Sequence, residues 1–242
     1  MSTPSGKQLV NERKIVQKRI DFYGEAELCQ LFRTLNEMWL SGIAKDREAS
    51  FFCRVLIFTG ARIMEAMNIQ LQHCHSTTIF LEWVKANSKG EQYCRTVGWF
   101  PEFQPFYEEY VADRRANNRF VNPYLFPCKQ WKKDRLTPIS ERWAHYLWDE
   151  TVARSGIRHL PSHMGGRKTA ATWLAEVLSI PDLQDQMGHT DYRTTEHYYR
   201  GSIPDRRFHK PFPEWRKVAL EPYPELHKKL MEELAKVKGI SR

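Results

Sequence analysis

Residues 162–200 contain three residue types that can act together on a phosphodiester. Arg167 lies where an apolar helical pattern begins, and His189 follows 22 residues later in a Gly-His step. Tyr198 and Tyr199 lie nine and ten residues after that histidine. A tyrosine phenol can attack phosphorus as a nucleophile, while a guanidinium and an imidazole stabilise the negative charge that develops on the phosphate oxygens. The stretch therefore predicts nucleophilic chemistry on a phosphodiester, with further cations supplied by the rest of the chain.

A second arginine, Arg62, has a sequence setting that suits an anion. Thr59-Gly60-Ala61 interrupts a helical pattern, and a short new helix is predicted to begin at Arg62. Backbone N–H groups at a helix N-terminus point outward, so they and the guanidinium would favour the same anion. Glu65, three residues on, can brace the guanidinium from the same face of the helix. Taken alone, this pair is better explained as an ordinary surface salt bridge.

The elements that must position these residues are mainly helical, with one β-hairpin. β-branched and aromatic residues are frequent at 77–83 and again at 92–100, and a polar segment with two lysines, Lys85 and Lys89, separates the two strands. The predicted fold class is therefore α+β, mainly helical, with a small antiparallel sheet. The predicted helices run from Glu25 to a stop at Gly42, from about Arg47 to Phe58, from Pro101 to about Asn117, from a cap at Thr137 or Ser140 to about Ser155, from a cap at Ser162 to Leu178, from Pro181 to Met187, and from Pro224 to Val237.

The composition is that of a globular protein that favours a polyanionic partner. Of the 242 residues, 41% are hydrophobic and 27% are charged, a mixture that indicates neither a disordered chain nor a membrane protein. The net charge of +8 favours nucleic acid over anionic lipid, although a basic protein with no such partner has the same charge. The sequence contains neither a spanning apolar run nor a signal peptide, so we expect a cytoplasmic protein.

The cysteines and histidines predict neither disulfides nor a metal site. The five cysteines are scattered, odd in number and never in a C-x-x-C pair, which indicates a reducing compartment. His73, Cys74 and His75 are adjacent and therefore poor joint ligands for zinc, and no partner pair lies at zinc-finger spacing. We expect no bound metal and no cofactor.

Two parts of the sequence resemble the two characteristic boxes of the tyrosine recombinases, the family of phage integrases, chromosome-dimer resolvases and DNA invertases. TGARIMEAMNIQL (59–71) is similar to the first box, which has an arginine after a Thr-Gly turn and a glutamate three residues on. GRKTAATWLAE (166–176) and QMGHTDYRTTEHYY (186–199) resemble the second. The resemblance covers about residues 22–202 and implies a tyrosine-recombinase-type catalytic domain.

The resemblance implies a role for each matched residue. Tyr198 stands at the family's usual spacing for the nucleophile, whereas Tyr199 is one residue too far and is expected to be structural. Lys85 fits the hairpin lysine because it ends the first strand, and Lys89 is the alternative. The other matches are Arg62 and Arg167 for the two arginines and His189 for the second-box histidine.

One position departs from the family pattern. The family has a histidine, or a substitute, three residues before the second arginine, and Met164 occupies that position here. His163 lies one residue earlier, and Gly165-Gly166 follow, where a flexible backbone could restore the reach of the imidazole. Either His163 takes the role of the displaced histidine or the site works without one. We favour His163, which shares a helix face with Arg167 in an i, i+4 arrangement.

The resemblance implies a site-specific recombinase or integrase that cleaves and rejoins DNA through a covalent 3′-phosphotyrosine, without metal or ATP. Its partner would be double-stranded DNA, on which the protein would assemble as a tetramer. Accessory DNA-bending proteins are candidates for further partners. The alternatives are a catalytically impaired DNA-binding relative, or a topoisomerase-like or telomere-resolving enzyme with the same chemistry. A trapped covalent adduct and an assay for strand exchange separate these.

Three regions are predicted along the chain. Residues 1–20 form a basic arm, 21–202 the catalytic domain, and 203–242 a tail with a helix that packs on a neighbouring subunit or on its own domain. Because family members commonly carry a separate helical DNA-binding domain before the catalytic one, we expect either a recombinase with a catalytic domain only or a fragment of a longer protein.

Overall fold

The computed structural model describes residues 21–82, 94–117, 122–128, 136–201 and 213–240, with the backbone only for residues 197–201 and 233–240. The mainly helical α+β fold class is confirmed. The strands are β1 (Ile79–Glu82) and β2 (Cys94–Val97), and 3₁₀ turns occupy Leu71–His73 and Pro101–Phe103. The α-helices are α1 (Glu25–Leu40), α2 (Ala44–Thr59), α3 (Ile63–Met67), α4 (Gln104–Ala116), α5 (Glu141–Ser155), α6 (Thr169–Leu174), α7 (Ile180–Met187), α8 (Tyr192–Gly201), α9 (Glu214–Ala219) and α10 (Pro224–Ile240).

Helix α2 lies at the centre of the core because its second half is almost continuously apolar. Every side chain from residue 51 to residue 58 is buried. Helices α1 and α5 pack against α2, and α9 packs against α1. Full burial of each large apolar side chain contributes about 1.5–3 kcal/mol, so this central helix fixes the positions of the segments that follow it.

Helix α9 was missed by the sequence patterns. It is only six residues long and lies in a proline-rich segment, so it has no clear helical periodicity. Its place is decided by Trp215, which is 2% exposed and stacks on Phe32 with ring centroids 5.5 Å apart. In addition, the Asn36 side-chain amide donates a hydrogen bond to the carbonyl of Val218 at 2.7 Å. Residues of the predicted tail thus contribute to the same core as α1.

The strands of the predicted hairpin pair antiparallel. Ile79 is opposite Val97 and Glu82 is opposite Cys94. The tip of the hairpin, with Lys85 and Lys89, lies outside the described residues. No helix in the described part of the chain is long and apolar enough to cross a membrane.

The helix predicted from Ser162 to Leu178 begins at the predicted place, but its form, its cap and its C-terminal end differ from the prediction. Residues 163–168 form a π-helical segment, and α6 ends at Leu174. Ser162 has helical backbone angles and makes no capping hydrogen bond through its side chain within the described structure. The carbonyl of Pro161 instead accepts hydrogen bonds from the backbone N–H groups of Met164 (2.8 Å) and Gly165 (2.9 Å).

Tertiary packing explains this departure. A Cβ atom on Gly165 would lie 2.6 Å from Cε2 of Tyr23 and 2.7 Å from Cζ2 of Trp148, both closer than real contacts allow. A Cβ atom on Gly166 would lie 3.2 Å from Cβ of Leu56. The two glycines therefore let the backbone before Arg167 approach the core closely, which a regular helix of larger residues could not do.

We expect Gly165→Ala to lower the free energy of unfolding by about 2 kcal/mol, because the added methyl group overpacks a fully buried contact. Gly98→Ala is the matched control, since a Cβ atom there would meet no heavy atom within 4 Å. The control should change stability by no more than about 0.5 kcal/mol. Denaturant unfolding of both variants measures the difference, and equal stabilities would contradict the packing argument.

Candidate active site

Arg62 lies at the N-terminus of α3, as the sequence predicts, and Glu65 holds it there. Nη1 of Arg62 donates to Oε1 of Glu65 at 2.8 Å, and its backbone N–H donates to Oε2 at 2.7 Å. The Glu65 side chain is 3% exposed, whereas that of Arg62 is 36% exposed. The pair is therefore not an ordinary surface salt bridge, because a buried carboxylate fixes a cation that remains accessible to an anion.

Arg95 is a second partner of Glu65, and the sequence patterns missed it. Its two terminal nitrogens donate to both oxygens of Glu65, at 2.7 and 2.8 Å, and its side chain is 9% exposed. Burial raises the pKa of the Glu65 carboxyl, but the Arg95 fork and the bond from Arg62 outweigh it and hold that pKa below its usual range. The only sequence signal was strand alternation, which places Arg95 on the same side of β2 as the buried Val97.

Arg167 is buried between the ends of two helices. Nη1 donates to the carbonyl of Gly60 at 2.6 Å, and Nη2 donates to the carbonyl of Met187. Gly60 ends α2 and Met187 is the last residue of α7, so both carbonyls lie at helix C-termini, where a cation is favoured. Both helices end at a glycine with positive φ, Gly60 (68°) and Gly188 (60°). These turns bring Arg167 next to the segments that carry Arg62 and His189.

His189 follows the end of α7 and lies near the arginines. Burial together with the charges of Arg167, Arg62 and Arg95 lowers the pKa of His189 to about 4, so the imidazole is neutral at pH 7. Its Nδ1 lies 3.0 Å from the hydroxyl oxygen of Thr195, a fully buried residue of α8. A hydroxyl that donates to Nδ1 places the ring proton on Nε2, which then serves as a hydrogen-bond donor.

The lowered pKa of His189 predicts a pH dependence of stability. The folded protein binds fewer protons at this ring than the unfolded chain between the ordinary histidine pKa and about 4. Stability contributed by the neutral ring is therefore present above about pH 6.5 and is lost as the pH falls towards 4, by roughly 2 kcal/mol for a half-buried ring. Unfolding free energies at pH 4.5 and 7 should differ less in His189→Gln than in the wild type. Replacement of the exposed His145 by Gln is the control, and an equal difference in all three proteins would contradict this.

His163 is exposed, whereas Arg167 in the same π-helical segment is buried. Within the described part of the chain the His163 imidazole makes no hydrogen bond or ion pair, and Met164 packs partly against the core. The geometry therefore brings together Arg62, Arg167 and His189 but does not bring His163 into contact with them.

The predicted nucleophile lies on α8. Tyr198 and Tyr199 are part of this helix, for which the structure describes only the backbone at these positions. Tyr198 is three residues after Thr195, the partner of His189, and therefore less than one helical turn away from Thr195. Lys85 lies outside the described residues. Among the residues that are described, no group of three or more His, Cys, Asp or Glu side chains could hold a metal ion.

Comparison with known proteins identifies the group to which this arrangement belongs. The model of the phage integrase family matches residues 24–203. The chain belongs to this family. The family predicted from the two boxes is thus confirmed. The search of curated proteins found no match to this sequence.

Solved structures of several recombinases share the fold of this chain. The XerH site-specific recombinase, in a post-cleavage complex with palindromic difH substrate, has a TM-score of 0.58 and 17% identity over 78% of this chain and 52% of its own. XerA recombinase has a TM-score of 0.57 and 22% identity over 74% and 59%. The Tn1549 transposon integrase, in complex with circular intermediate DNA, has a TM-score of 0.52 and 17% identity over 69% and 58%. This chain of the phage integrase family thus spans about half to three-fifths of the length of these relatives.

Proposed function

We propose that this protein is a site-specific DNA recombinase or integrase that cleaves and rejoins DNA through a covalent 3′-phosphotyrosine at Tyr198. The observation that carries the proposal is the convergence of Arg62, Arg167 and the neutral His189 beside one buried carboxylate, Glu65. XerH and the Tn1549 integrase were captured in complexes with DNA, which supports double-stranded DNA as the partner of this chain. On DNA the protein acts as a tetramer, as the family resemblance implies.

The reaction is an exchange of one ester for another. The Tyr198 phenol oxygen attacks phosphorus, the bond to the 5′ oxygen breaks, and the leaving oxygen takes a proton from Lys85. A phenol with a pKa of about 10 is roughly 4 kcal/mol from ionisation at pH 7, so nearby cations and an acceptor for its proton must offset this deficit. His163 is the proposed acceptor, provided that it turns inward on DNA. Attack by a 5′ hydroxyl of a second strand on the phosphotyrosine reverses the step and joins the new strand.

The site residues divide the stabilisation of the transition state between them. Arg62 and Arg167 present fixed positive charge to the non-bridging oxygens, and Nε2–H of His189 donates to one of them. The ester conserves the energy of the broken bond, so rejoining requires neither ATP nor metal. The overall charge of +8 adds attraction for the DNA backbone.

A suicide substrate tests this proposal. Duplexes are enriched for binding from a random library, and each candidate site is then nicked close to the scissile phosphate, so that a short fragment diffuses away after cleavage. We expect a denaturation-resistant protein–DNA adduct in EDTA and without ATP, with the DNA on the peptide that contains Tyr198. Binding without any adduct would instead identify a catalytically impaired relative. If the protein forms the adduct and relaxes supercoiled DNA but never exchanges strands between duplexes, it is a topoisomerase-like enzyme.

A further inference from the structure

The Arg95 side chain links three segments of the active site. Its fork donates to both oxygens of Glu65, and its Nε donates to the carbonyl of Gln186 at 3.0 Å. Glu65 belongs to α3 and Gln186 to α7, while Arg95 itself belongs to β2. The contacts therefore join the hairpin to the two helices whose ends carry Arg62 and His189.

Each of these bonds leads directly to a proposed catalytic group. Glu65 is the carboxylate that holds Arg62. Gln186 precedes Met187, whose carbonyl accepts a hydrogen bond from Arg167, and His189 lies two residues further on. The Gln186 side chain strengthens the same junction, because its amide donates to the carbonyls of Thr59 (3.1 Å) and Gly98 (2.9 Å).

We infer that Arg95 is a positioning residue for the reaction, one that sets the orientation of Arg62 through Glu65 and fixes the end of α7 through Gln186. This inference rests on the proposed function. All three nitrogens of the Arg95 guanidinium donate to protein oxygens, so we expect Arg95 to act through other residues and not by direct contact with the phosphate. These residues are Glu65, which holds Arg62, and Gln186, which lies three positions before His189.

A buried carboxylate with only Arg62 as partner would hold that arginine poorly. Glu65 is 3% exposed, and burial disfavours its charged form. The bidentate fork satisfies both oxygens and leaves the carboxylate in one orientation, to which Nη1 and the backbone N–H of Arg62 then bind. A lysine at position 95 would keep the charge but lose the fork, so it should restore only part of the effect.

The test compares adduct formation by Arg95→Gln, Arg95→Lys, Glu65→Gln and the double variant Glu65→Gln/Arg95→Gln. We expect DNA affinity to stay within about twofold while the rate of adduct formation falls about 100-fold in Arg95→Gln, as for other misplacements of catalytic groups by about 1 Å. Arg95→Lys should be intermediate. The loss in the double variant should be smaller than the product of the two single losses, because Arg95 acts on Arg62 through Glu65 and only its bond to Gln186 acts separately.

Arg154→Gln is the matched control. Arg154 forms the same kind of bidentate pair, with Asp46 at 2.8 and 3.1 Å, between α5 and α2 and outside the site. The Arg154→Gln variant should cleave DNA at the wild-type rate. If Arg95→Gln also cleaves at that rate, or if the losses of the two single variants add up, the inference is overturned although the proposed function stands.

A second measurement does not depend on cleavage. In the wild type and in Arg154→Gln, the nitrogen-bound protons of the Arg62 guanidinium should give resolved NMR signals, because Glu65 restrains the group. These signals should broaden in Arg95→Gln and partly recover in Arg95→Lys. Unchanged Arg62 signals in Arg95→Gln would overturn the inference. If the wild type forms no adduct, the proposed function fails, and the NMR comparison alone decides the role of Arg95.

Discussion

Tyr198→Phe is expected to abolish the covalent adduct and to lower strand cleavage by at least about 10⁴-fold, as for the loss of other nucleophiles. The substitution removes one oxygen atom and retains the ring, so α8 should keep its packing. DNA affinity should stay within about twofold, since the net charge of the protein is unchanged. A denaturing gel with the nicked substrate measures the adduct, and a mobility shift with an intact duplex measures the binding.

Tyr199→Phe is the matched control for this prediction. It removes the same atom from the next residue of α8, and it should retain most of the cleavage activity. The spacing from the Gly-His step favours Tyr198, and both residues lie within about one turn of Thr195. If the adduct persists in Tyr198→Phe and disappears in Tyr199→Phe, the nucleophile is Tyr199 and not Tyr198.

Replacing Arg167 is expected to affect activity and stability together. Arg167→Gln removes a cation from the proposed transition state, at a cost of about 10³-fold in cleavage rate. It also removes the two hydrogen bonds to the carbonyls of Gly60 and Met187, which lie at the buried ends of α2 and α7. Because hydrogen bonds from charged groups contribute about 1.5–3 kcal/mol each, the free energy of unfolding should fall by about 3 kcal/mol.

Arg62→Gln separates these two effects. The Arg62 side chain is 36% exposed, and without it Arg95 still donates to both oxygens of Glu65, so the loss of Arg62 should lower cleavage to a similar degree but change stability by less than about 1 kcal/mol. Cleavage rates at a temperature well below both unfolding transitions, together with denaturant unfolding, provide the comparison. Equal losses of stability in the two variants would contradict a structural role for the buried Arg167 that the accessible Arg62 lacks. Normal cleavage by Arg167→Gln would contradict its role in the reaction.

The sequence by itself determined the family, the fold class and the local setting of several site residues. The Thr-Gly turn and the glutamate three residues on predicted that Arg62 begins a short helix braced by Glu65, and the structure shows both features. The Gly188 stop predicted the end of α7, and Ser140 proved to be the cap of α5. These features depend on residues within one or two turns of each other, where backbone preferences and capping act.

Only the tertiary structure decided which distant groups share the site. The bidentate contact of Arg95 with Glu65 joins residues 30 positions apart, and the bond from Arg167 to the Gly60 carbonyl joins residues 107 positions apart. No local pattern reports such pairs, because they arise from the way α2, α7 and β2 pack. The π-helical segment before Arg167 likewise follows from the close approach of Gly165 to Tyr23 and not from helical periodicity. The burial and the neighbouring arginines that set the charge states of Glu65 and His189 are properties of this packing, and the sequence alone could not predict them.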